Sequence, residues 1–284
     1  MSSPHHVDPR TLSAALTSAP LEIIGQLSGA SNATLLSRID AAGIEIQCVY
    51  KPRRGERPLW DFPSGTLSHR EVAAYELSRA VGWNLVPTTV WREEGPYGPG
   101  MCQEWVVDHS EQPACDVVSQ GQAPEGWHVV LDAETYEGAP VSLVHEDSVE
   151  LQRMALFDFV ANNADRKGGH ILRRESGDLV GIDHGLTFHE DSKLRSVLWG
   201  WEGQVIPPNL LDDLRALQQM MALGAPPPGG ALPNSLTNTL PNTLSEHLRL
   251  SEMTALTRRL GSVISSGVFP SPSDDYPALP WPPV

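Results

Sequence analysis

The sequence is poor in cysteine. Of 284 residues only three are cysteine, namely Cys48, Cys102 and Cys115, and no two of them form a CxxC pair. A disulfide scaffold needs an even set of cysteines in a regular framework, and disulfides are rare in the reducing cytoplasm. We therefore expect reduced thiols and a cytoplasmic protein.

Positive charge is also scarce. The chain has 20 Lys and Arg residues against 35 Asp and Glu residues, so its formal net charge is −15 at pH 7. Such a field repels DNA, RNA and anionic membrane surfaces unless a local basic patch overrides it. The densest basic group is only Arg53, Arg54 and Arg57. We expect no nucleic-acid partner and no stable membrane association.

Long apolar runs and the common nucleotide-binding motifs are absent as well. No stretch approaches the roughly 18 consecutive apolar residues that indicate a membrane-spanning helix. Residues 1–18 lack the basic and apolar regions of a secretory signal. Neither GxxxxGK[ST] nor GxGxxG occurs, which excludes the P-loop and Rossmann patterns. The remaining composition, 40% hydrophobic and 19% charged residues, is typical of a globular protein.

The order of the sequence patterns predicts an α+β protein of two lobes with a cleft between them. Residues 1–20 are expected to form a loose arm with one short helix. Residues 21–107 would form a small β-rich N-lobe, and residues 108–284 a mainly helical C-lobe. Within the C-lobe, 224–243 is predicted to be a flexible insertion and 268–284 a Pro-rich surface tail.

Individual elements are predicted from hydrophobic periodicity. Strands are predicted at 35–39, 44–51, 86–91 and 100–107, and in a hairpin at 170–173 and 179–182. Helices are predicted at 72–81, 149–162, 209–222 and 244–265. Residues 108–145 have a weak pattern, and no element is predicted there.

Two isolated carboxylates flank the predicted hairpin. Asp165 precedes it within residues 163–167, and Asp183 follows it, directly after the apolar segment 179–182. A carboxylate at the mouth of a buried strand is costly without a partner, so we expect a metal or a strong donor at Asp183. Phosphoryl transfer uses such a pair, one carboxylate to orient the attacking hydroxyl and one to hold the metal. The alternative for Asn163 and Asp165 is that of ordinary turn residues after a helix.

A lysine and a glutamate in the predicted N-lobe fit the same chemistry. Lys51 ends a strand and precedes Glu71, which lies on the next helix. A lysine at a strand end reaches nucleotide phosphates when a helix glutamate holds it in place. The Gly/Ser/Asn-rich segment 25–34, with Ser31 and Asn32, is a candidate to cover the phosphates with backbone N–H groups. The alternative for the pair is an exposed lysine beside an exposed glutamate.

Four ordered blocks of the sequence resemble the phosphatidylinositol 3-/4-kinase superfamily, and within it the type II phosphatidylinositol 4-kinases and HipA-like kinases. The blocks are Tyr50-Lys51-Pro52, Arg70–Tyr75 leading to Val86–Thr89, Asn163–Arg166 and Ile182–Leu186. An actinobacterial group of kinase-like proteins is more similar still. The resemblance covers about residues 25–188. It implies a two-lobed protein-kinase-like fold that binds ATP with a divalent metal, Mg or Mn.

The resemblance also implies roles for individual residues. Lys51 would contact the phosphates with Glu71 as its ion-pair partner, and Asp183 would ligate the metal. The implied catalytic residues are Asp165, Arg166 and Lys167. The implied adenine-binding segment, which acts through backbone groups, contains Gln103, Glu104 and Val106.

One position departs from the superfamily pattern. His170 stands where a metal-binding asparagine is usual, five residues after Asp165. Mg²⁺ prefers hard oxygen ligands, whereas imidazole suits Mn²⁺ or Zn²⁺. His170 is therefore a candidate ligand for a softer metal, a hydrogen-bond donor to phosphate, or a sign of lost catalysis. A dedicated transition-metal site of His170, Asp183, His184 and His189 is a further alternative.

Three functions remain open on this evidence. The first is an ATP-dependent phosphotransferase, with a protein or small-molecule acceptor preferred over a lipid because the net charge of −15 opposes membrane docking. The second is a catalytically impaired pseudokinase that binds nucleotide or a partner protein as a regulator. The third is transfer of AMP rather than phosphate, with the nucleotide reversed. Acceptor-binding residues are expected in the weakly patterned region 190–215.

Overall fold

The computed structural model describes residues 7–27, 32–223 and 239–284. Its N-terminal part is a five-stranded antiparallel sheet in the order β1-β2-β3-β5-β4. The strands are β1 (Glu22–Gln26), β2 (Leu35–Ala41), β3 (Ile44–Pro52), β4 (Thr89–Arg92) and β5 (Gly100–Glu104). The predicted strands are therefore present, and β4 begins later than expected because Pro87 precedes it without a backbone donor.

The first helix, α1 (Pro9–Ser18), docks on this sheet. Leu12 and Leu16 pack with Ile39 and the two buried thiols Cys48 and Cys102. Arg92 on β4 donates to the carbonyls of Leu16 and Ala19 at 2.7 and 2.8 Å, which satisfies carbonyls at the end of the helix. The predicted arm at 1–20 thus contains a helix that is part of the packed fold.

The helix α2 (Leu67–Ala80) packs against β4 and β5. Its first backbone donors, Leu67 N–H and Ser68 N–H, bond the Glu56 carboxylate at 3.1 and 2.8 Å. Ser68 and Glu71 stand at capping-box spacing in the sequence, but they form no capping box. Ser68 Oγ instead donates to the carbonyl of Lys51 at 3.2 Å, and Glu71 is left to point at the end of β3.

A three-stranded antiparallel sheet occupies the segment for which the sequence predicts no element. It consists of β6 (Cys115–Ser119), β7 (Trp127–Glu134) and β8 (Pro140–Glu146), in the order β6-β8-β7. The register of β7 shifts between Val129 and Leu131, and both of these side chains are exposed. A bulge on an exposed edge strand breaks the alternation that signals a strand. The predicted C-lobe therefore begins with a sheet before it becomes helical.

The remaining elements form the helical part and its hairpin. The helices are α3 (Val149–Ala161), α4 (Pro208–Leu223), α5 (Leu240–Ser245) and α6 (Leu250–Ser266), and the hairpin strands are β9 (Ile171–Arg173) and β10 (Leu179–Gly181). The large core contains buried side chains of α2, α3, α4 and α6. Within the described ranges, no helix is long and apolar enough to cross a bilayer.

Two predictions about the C-terminal third need correction. Residues 240–243 of the predicted flexible insertion lie in α5, while 224–238 are outside the described residues. The single predicted helix at 244–265 is also wrong, because α5 ends at Ser245 and α6 starts at Leu250. Buried Leu244 and Leu248 hold this corner in the core, and Glu252 accepts the Arg249 N–H at 2.8 Å at the start of α6.

The Pro-rich tail is not confined to the surface. Leu279 packs against the main core. The carbonyl of Ala278 accepts from Ser196 N–H and from Trp199 Nε1, both at 3.0 Å. The carbonyl of Pro283 accepts the Gly168 N–H at 2.8 Å. The tail therefore lies against two segments, around 168 and around 196–199.

Acidification is expected to destabilise the fold through His145. This side chain is fully buried in β8, with Nδ1 2.8 Å from the carbonyl of Glu146 and Nε2 accepting the Gly200 N–H at 3.0 Å. Burial lowers the pKa of His145 to about 4. The unfolded chain takes up its proton near pH 6.5, so stability contributed by His145 is lost as pH falls from about 6.5 towards 4, about 2 kcal/mol at pH 5.

The measurement is urea unfolding of wild type and His145→Gln at pH 7 and pH 5. Glutamine keeps a donor and an acceptor but does not titrate, so the variant should lose less stability on acidification. Burial also lowers the pKa of His69 and of His170 to about 4, so the pH dependence should shrink rather than vanish. An equal loss in both proteins would contradict the assignment.

Candidate active site

Lys51 is the point where the five-stranded sheet meets the helical part. Its Nζ lies 2.5 Å from Glu71 Oε1 and 2.8 Å from Asp183 Oδ1. Burial disfavours the charged ammonium, but Asp183 and Glu71 outweigh that effect and raise the pKa of Lys51 above its usual value. Three residues that are far apart in the sequence thus converge on one cation. The alternative of an exposed lysine beside an exposed glutamate is wrong.

Glu71 ties this lysine to the segment after the hairpin. The side chain is 1% exposed and lies on α2. Its Oε1 contacts Lys51, and its Oε2 accepts the backbone N–H of His184 at 2.8 Å. Because both oxygens are occupied, Glu71 fixes the distance between β3 and the turn that carries Asp183.

Asp183 presents a carboxylate to open space beside Lys51. Its φ of +58° is unusual for a residue other than glycine, and such backbone often occurs where function needs it. The nearby Lys51 charge lowers the pKa of Asp183 well below its usual range, so the carboxylate is ionised at neutral pH. The side chain is half exposed, and Oδ2 is 3.7 Å from His170 Nε2. Oδ2 is therefore available to a cation.

Asp165 lies on the loop that follows α3. Its N–H bonds Asn163 Oδ1 at 3.0 Å, and its Oδ2 is 3.4 Å from Lys167 Nζ. Burial raises the pKa of the Asp165 carboxyl, against the opposing charges of Lys167 and Arg195. A carboxylate with a raised pKa is a better proton acceptor near neutral pH.

Asn163 has a larger part than that of an ordinary turn residue. The side chain is fully buried, and its Nδ2 donates to Asp158 Oδ1 at 2.9 Å. Its Oδ1 accepts the Asp165 N–H, and its carbonyl accepts the Arg195 N–H at 2.9 Å. Asn163 therefore fixes the backbone on which the Asp165 carboxylate stands.

Arg166 does not take the catalytic place that the sequence predicts for it. Its side chain is fully buried and bonds both carboxylate oxygens of Asp158, at 2.8 and 3.0 Å. Nη2 is 2.7 Å from His184 Nε2, and Nη1 donates to the carbonyl of Ile182 at 3.2 Å. A group so enclosed cannot touch a substrate. Arg166 is a positioning residue that joins the loop of Asp165 to the segment of Asp183.

His170 has the chemistry of a neutral ligand. Burial lowers its pKa to about 4, so the imidazole is uncharged at pH 7, and Nε2 faces Asp183. Its Nδ1 is buried with no partner among the described residues. Imidazole and carboxylate together suit Mn²⁺ better than Mg²⁺.

The alternative four-residue transition-metal site is contradicted by two of its members. His184 Nε2 contacts Arg166, and His189 bonds the carbonyl of Asp61 through Nε2 at 2.8 Å and the Asp191 N–H through Nδ1 at 3.0 Å. In the part of the chain that the structure describes, no group of three or more His, Cys, Asp and Glu residues is arranged to hold a metal. His170 and Asp183 would need oxygen ligands from a bound phosphate group.

The predicted adenine-binding segment is mostly committed to the sheet. Gln103 is buried, and its Nε2 donates to Thr89 Oγ1 at 2.7 Å. The Glu104 carboxylate pairs with Arg174 at 2.9 Å, and its N–H bonds the carbonyl of Thr88 at 2.8 Å. No backbone hydrogen bond of the Val106 N–H occurs among the described residues. Of the three predicted residues, Val106 keeps the best backbone donor for a base.

The predicted phosphate-covering segment is only partly described. Ser31 lies outside the described residues. The Asn32 side chain accepts the Arg57 N–H at 2.7 Å, so it connects the end of the β1–β2 link to the loop after β3. A contact of Asn32 with phosphate would have to use its backbone or its amide nitrogen.

Sequence reasoning missed two charged residues that build this region. Asp158 is the buried partner of Arg166, and Arg195 donates to the carbonyl of Ala164 at 2.5 Å. An acid on the apolar face of the predicted helix 149–162 was a usable signal for Asp158. No local pattern marks Arg195, because its role depends on contacts with a segment 31 positions away.

Comparison with known proteins supports a kinase-like fold. Protein Rv2133c of Mycobacterium tuberculosis is 43% identical over 278 residues, which cover 95% of this chain and 94% of that protein. No protein-family model matches the chain. Among solved structures, the crystal structure of the Golgi casein kinase with Mn and ADP bound has a TM-score of 0.54 at 16% identity, covering 92% of this chain and 76% of that one.

A second solved structure, that of the Helicobacter pylori proinflammatory kinase CtkA, has a TM-score of 0.45 at 10% identity and covers 89% of this chain and 94% of that one. The similarity to the Golgi casein kinase concerns the fold. The predicted α+β kinase-like fold, with a small β-rich lobe and a mainly helical lobe, is confirmed.

Proposed function

We propose that this chain, which belongs to the family of the mycobacterial protein Rv2133c, is an ATP-dependent phosphotransferase of the phosphatidylinositol 3-/4-kinase-like type. The convergence of Lys51, Glu71 and Asp183 at 2.5 and 2.8 Å carries the proposal. The Lys51 ammonium is held by the buried Glu71 and the half-exposed Asp183. It can exchange its contact with Asp183 for one with a phosphate oxygen. The nucleotide would lie where the five-stranded sheet meets the helical part.

The bound nucleotide would be held mainly by Lys51 and by backbone groups. The ammonium would bond the phosphates while Glu71 keeps its position. The Val106 N–H would donate a hydrogen bond to the adenine. Because Glu71 is buried and doubly bonded, the lysine has little freedom, and its placement needs no rearrangement when the nucleotide arrives.

The residues present fit a divalent metal. Asp183 Oδ2 is ionised and exposed, and His170 Nε2 lies 3.7 Å from it with a neutral imidazole. These two side chains would hold the ion, and its charge would offset that of the nucleotide phosphates. The Golgi casein kinase structure contains Mn and ADP, which is consistent with the softer ion for this donor set.

Asp165 would act on the acceptor hydroxyl. Its carboxylate would orient the hydroxyl and take its proton as the phosphoryl group transfers. Lys167 Nζ, 3.4 Å from Asp165, would lie beside the phosphoryl group and stabilise its charge. The acceptor would be a protein or small molecule rather than a lipid, since the net charge is −15.

The direct test is a thermal-shift titration with ATP and either Mg²⁺ or Mn²⁺, followed by transfer of label from γ-labelled ATP. Wild type should be stabilised by nucleotide and metal together, and Asp183→Asn should lose the metal-dependent part. Asp191→Asn is the matched control, because its carboxylate is 79% exposed outside the site. No stabilisation of wild type under either metal would refute nucleotide binding.

The pseudokinase alternative rests on His170, which occupies the position of a usual metal ligand. A pseudokinase that binds nucleotide would show nucleotide-dependent stabilisation, and one that binds only a partner protein would show none. Neither would transfer label under either metal. Transfer of AMP would instead incorporate label from α-labelled ATP and none from γ-labelled ATP. The three functions therefore give three different combinations of binding and label.

Replacing His170 by asparagine is expected to change the metal preference. Asparagine offers a hard amide oxygen, so the ratio of activity with Mn²⁺ to activity with Mg²⁺ should fall several-fold in His170→Asn. The measurement is the initial rate at saturating ATP over a titration of each metal. An unchanged ratio, with both rates lowered alike, would show that His170 does not ligate the metal.

A further inference from the structure

The loop that carries Asp165 lies against an arginine whose guanidinium forms no ion pair with a described residue. Arg195 Nε donates to the carbonyl of Ala164 at 2.5 Å, so its guanidinium stands next to the residue before Asp165. Nη1 and Nη2 make no hydrogen bond or ion pair with a described residue. Four of the five donors of this arginine therefore remain for another partner.

Backbone contacts fix Arg195 to the loop of Asp165 on both sides. The Arg195 N–H donates to the carbonyl of Asn163 at 2.9 Å, and the Arg195 carbonyl accepts the Arg166 N–H at 3.0 Å. The two carbonyl and amide partners flank Asp165 in sequence. The charge of Arg195 also acts on Asp165, whose pKa it lowers against the effect of burial. The guanidinium and the carboxylate are thus held in one fixed arrangement.

Aromatic rings continue this surface away from Asp165. The Tyr276 ring centroid is 5.5 Å from Arg195 Cζ and 5.1 Å from Lys193 Nζ. On its other side, Lys193 Nζ is 5.2 Å from the Trp60 ring, which is 92% exposed. Lys193 pairs with Asp61 at 3.0 Å, so of these two cations Arg195 is the one without an ion-pair partner among the described residues.

We propose that Arg195 binds an anionic group, a carboxylate or a phosphate, that the acceptor carries close to its reacting hydroxyl. This inference rests on the proposed function. Arg195 Nε bonds the residue before Asp165, so an acceptor hydroxyl that reaches Asp165 would lie close to the Arg195 guanidinium. The fork of the guanidinium matches carboxylate and phosphate in a bidentate geometry, and the Tyr276 ring lies beside it. Trp60 and Tyr276 give the rest of the acceptor an aromatic surface.

The strong acidity of the chain makes such a site selective. With a net charge of −15, most of the surface repels an anionic acceptor. A single open guanidinium beside the catalytic carboxylate is then the place where such an acceptor is attracted. The anion also has to lie at one distance from the hydroxyl, so Arg195 would select for spacing as well as charge.

The first experiment measures binding without ATP. Two anionic probes are used, glycerol 3-phosphate and a serine peptide with glutamate near the serine, each against its neutral partner, glycerol or the glutamine peptide. Wild type should be stabilised thermally by at least one anionic probe and by neither neutral one. Arg195→Gln, which keeps a donor for the Ala164 carbonyl, should weaken that binding by about 10- to 100-fold. Which anionic probe binds identifies its source as phosphate or carboxylate.

The second experiment compares initial transfer rates to the anionic and neutral member of each pair. The ratio of the rate with the anionic probe to the rate with the neutral probe should be about ten or more in wild type. It should approach one in Arg195→Gln. Arg195→Lys should retain part of it. The control is Arg215→Ala on α4. Arg215 is 51% exposed and pairs with Asp212, and it has no hydrogen bond or ion pair with Arg195 or Lys193. This variant should behave as wild type.

Three outcomes would overturn the proposal. They are no preference for the anionic probe in either experiment, a preference that persists in Arg195→Gln, and a rise in the KM for ATP with an unchanged acceptor ratio. The last would assign Arg195 to the nucleotide. Because the binding experiment omits ATP, failure of the anion site is distinguishable from failure of the phosphotransferase proposal, which the metal-dependent nucleotide titration decides.

Discussion

Replacing Asp165 by asparagine is expected to lower the rate of phosphoryl transfer by about 10²- to 10⁴-fold, the usual contribution of a positioned general base. Asparagine keeps the size of the side chain and one of its oxygens, but it cannot act as a base. Nucleotide affinity should change little, because Lys51, Glu71 and Asp183 are untouched. The measurement is the initial rate of transfer from γ-labelled ATP, together with nucleotide binding followed by thermal shift.

Two variants together separate loss of catalysis from loss of nucleotide binding. Asp165→Asn should lose transfer and keep metal-dependent nucleotide binding, while Asp183→Asn should lose both. Burial raises the pKa of Asp165. As the pH is lowered, the wild-type rate should therefore fall at a higher pH than it would for an ordinary aspartate, because the base becomes protonated earlier. A transfer rate in Asp165→Asn within a few-fold of wild type would remove Asp165 from the reaction.

Removing the guanidinium of Arg166 is expected to have the largest effect on stability. Arg166 and Asp158 are both fully buried, and their ion pair is bidentate at 2.8 and 3.0 Å. Arg166→Met would leave Asp158 as an unpaired buried charge, which costs about 3–5 kcal/mol. The total free energy of unfolding of a domain is of order 5–15 kcal/mol. A large fraction of the variant protein would therefore be unfolded under mild conditions. Urea unfolding monitored by tryptophan fluorescence measures the loss.

A double replacement separates loss of the ion pair from loss of a contact. Arg166→Met with Asp158→Leu removes both charges and should recover part of the stability, since an apolar pair often replaces a buried ion pair at little cost. Arg215→Ala breaks an exposed pair with Asp212 and should cost at most about 1 kcal/mol. If the double variant were less stable than Arg166→Met alone, the buried charge would not be the reason for the loss.

The sequence predicted those parts of the site whose signal is local. The strand ending at Lys51 alternates with period two, and the helix of Glu71 follows it. Asp183 follows the short apolar strand β10. In each case one side chain stands at the end of an element with clear periodicity, so its place could be predicted. Their convergence was an inference from the resemblance and from the chemistry of phosphoryl transfer.

What the sequence could not show depends on tertiary contacts. Arg166 is adjacent to Asp165 and charged, and only the buried Asp158 decides that it points inward. Gln103 lies in the predicted adenine-binding segment, yet its side-chain amide donates a hydrogen bond to Thr89 on the neighbouring strand. The sheet at 115–146 escaped prediction because its edge strand β7 is exposed and bulged. Long-range partners leave no periodic trace in any of these cases.

The position of the tail has a practical consequence for anyone who engineers this chain. Pro283 accepts the Gly168 N–H at 2.8 Å, and a side chain on Gly168 would come within 2.8 Å of Val284. A polypeptide appended after Val284 would therefore emerge next to the loop that carries Lys167 and His170. An affinity tag or fluorescent fusion at that end would crowd the site.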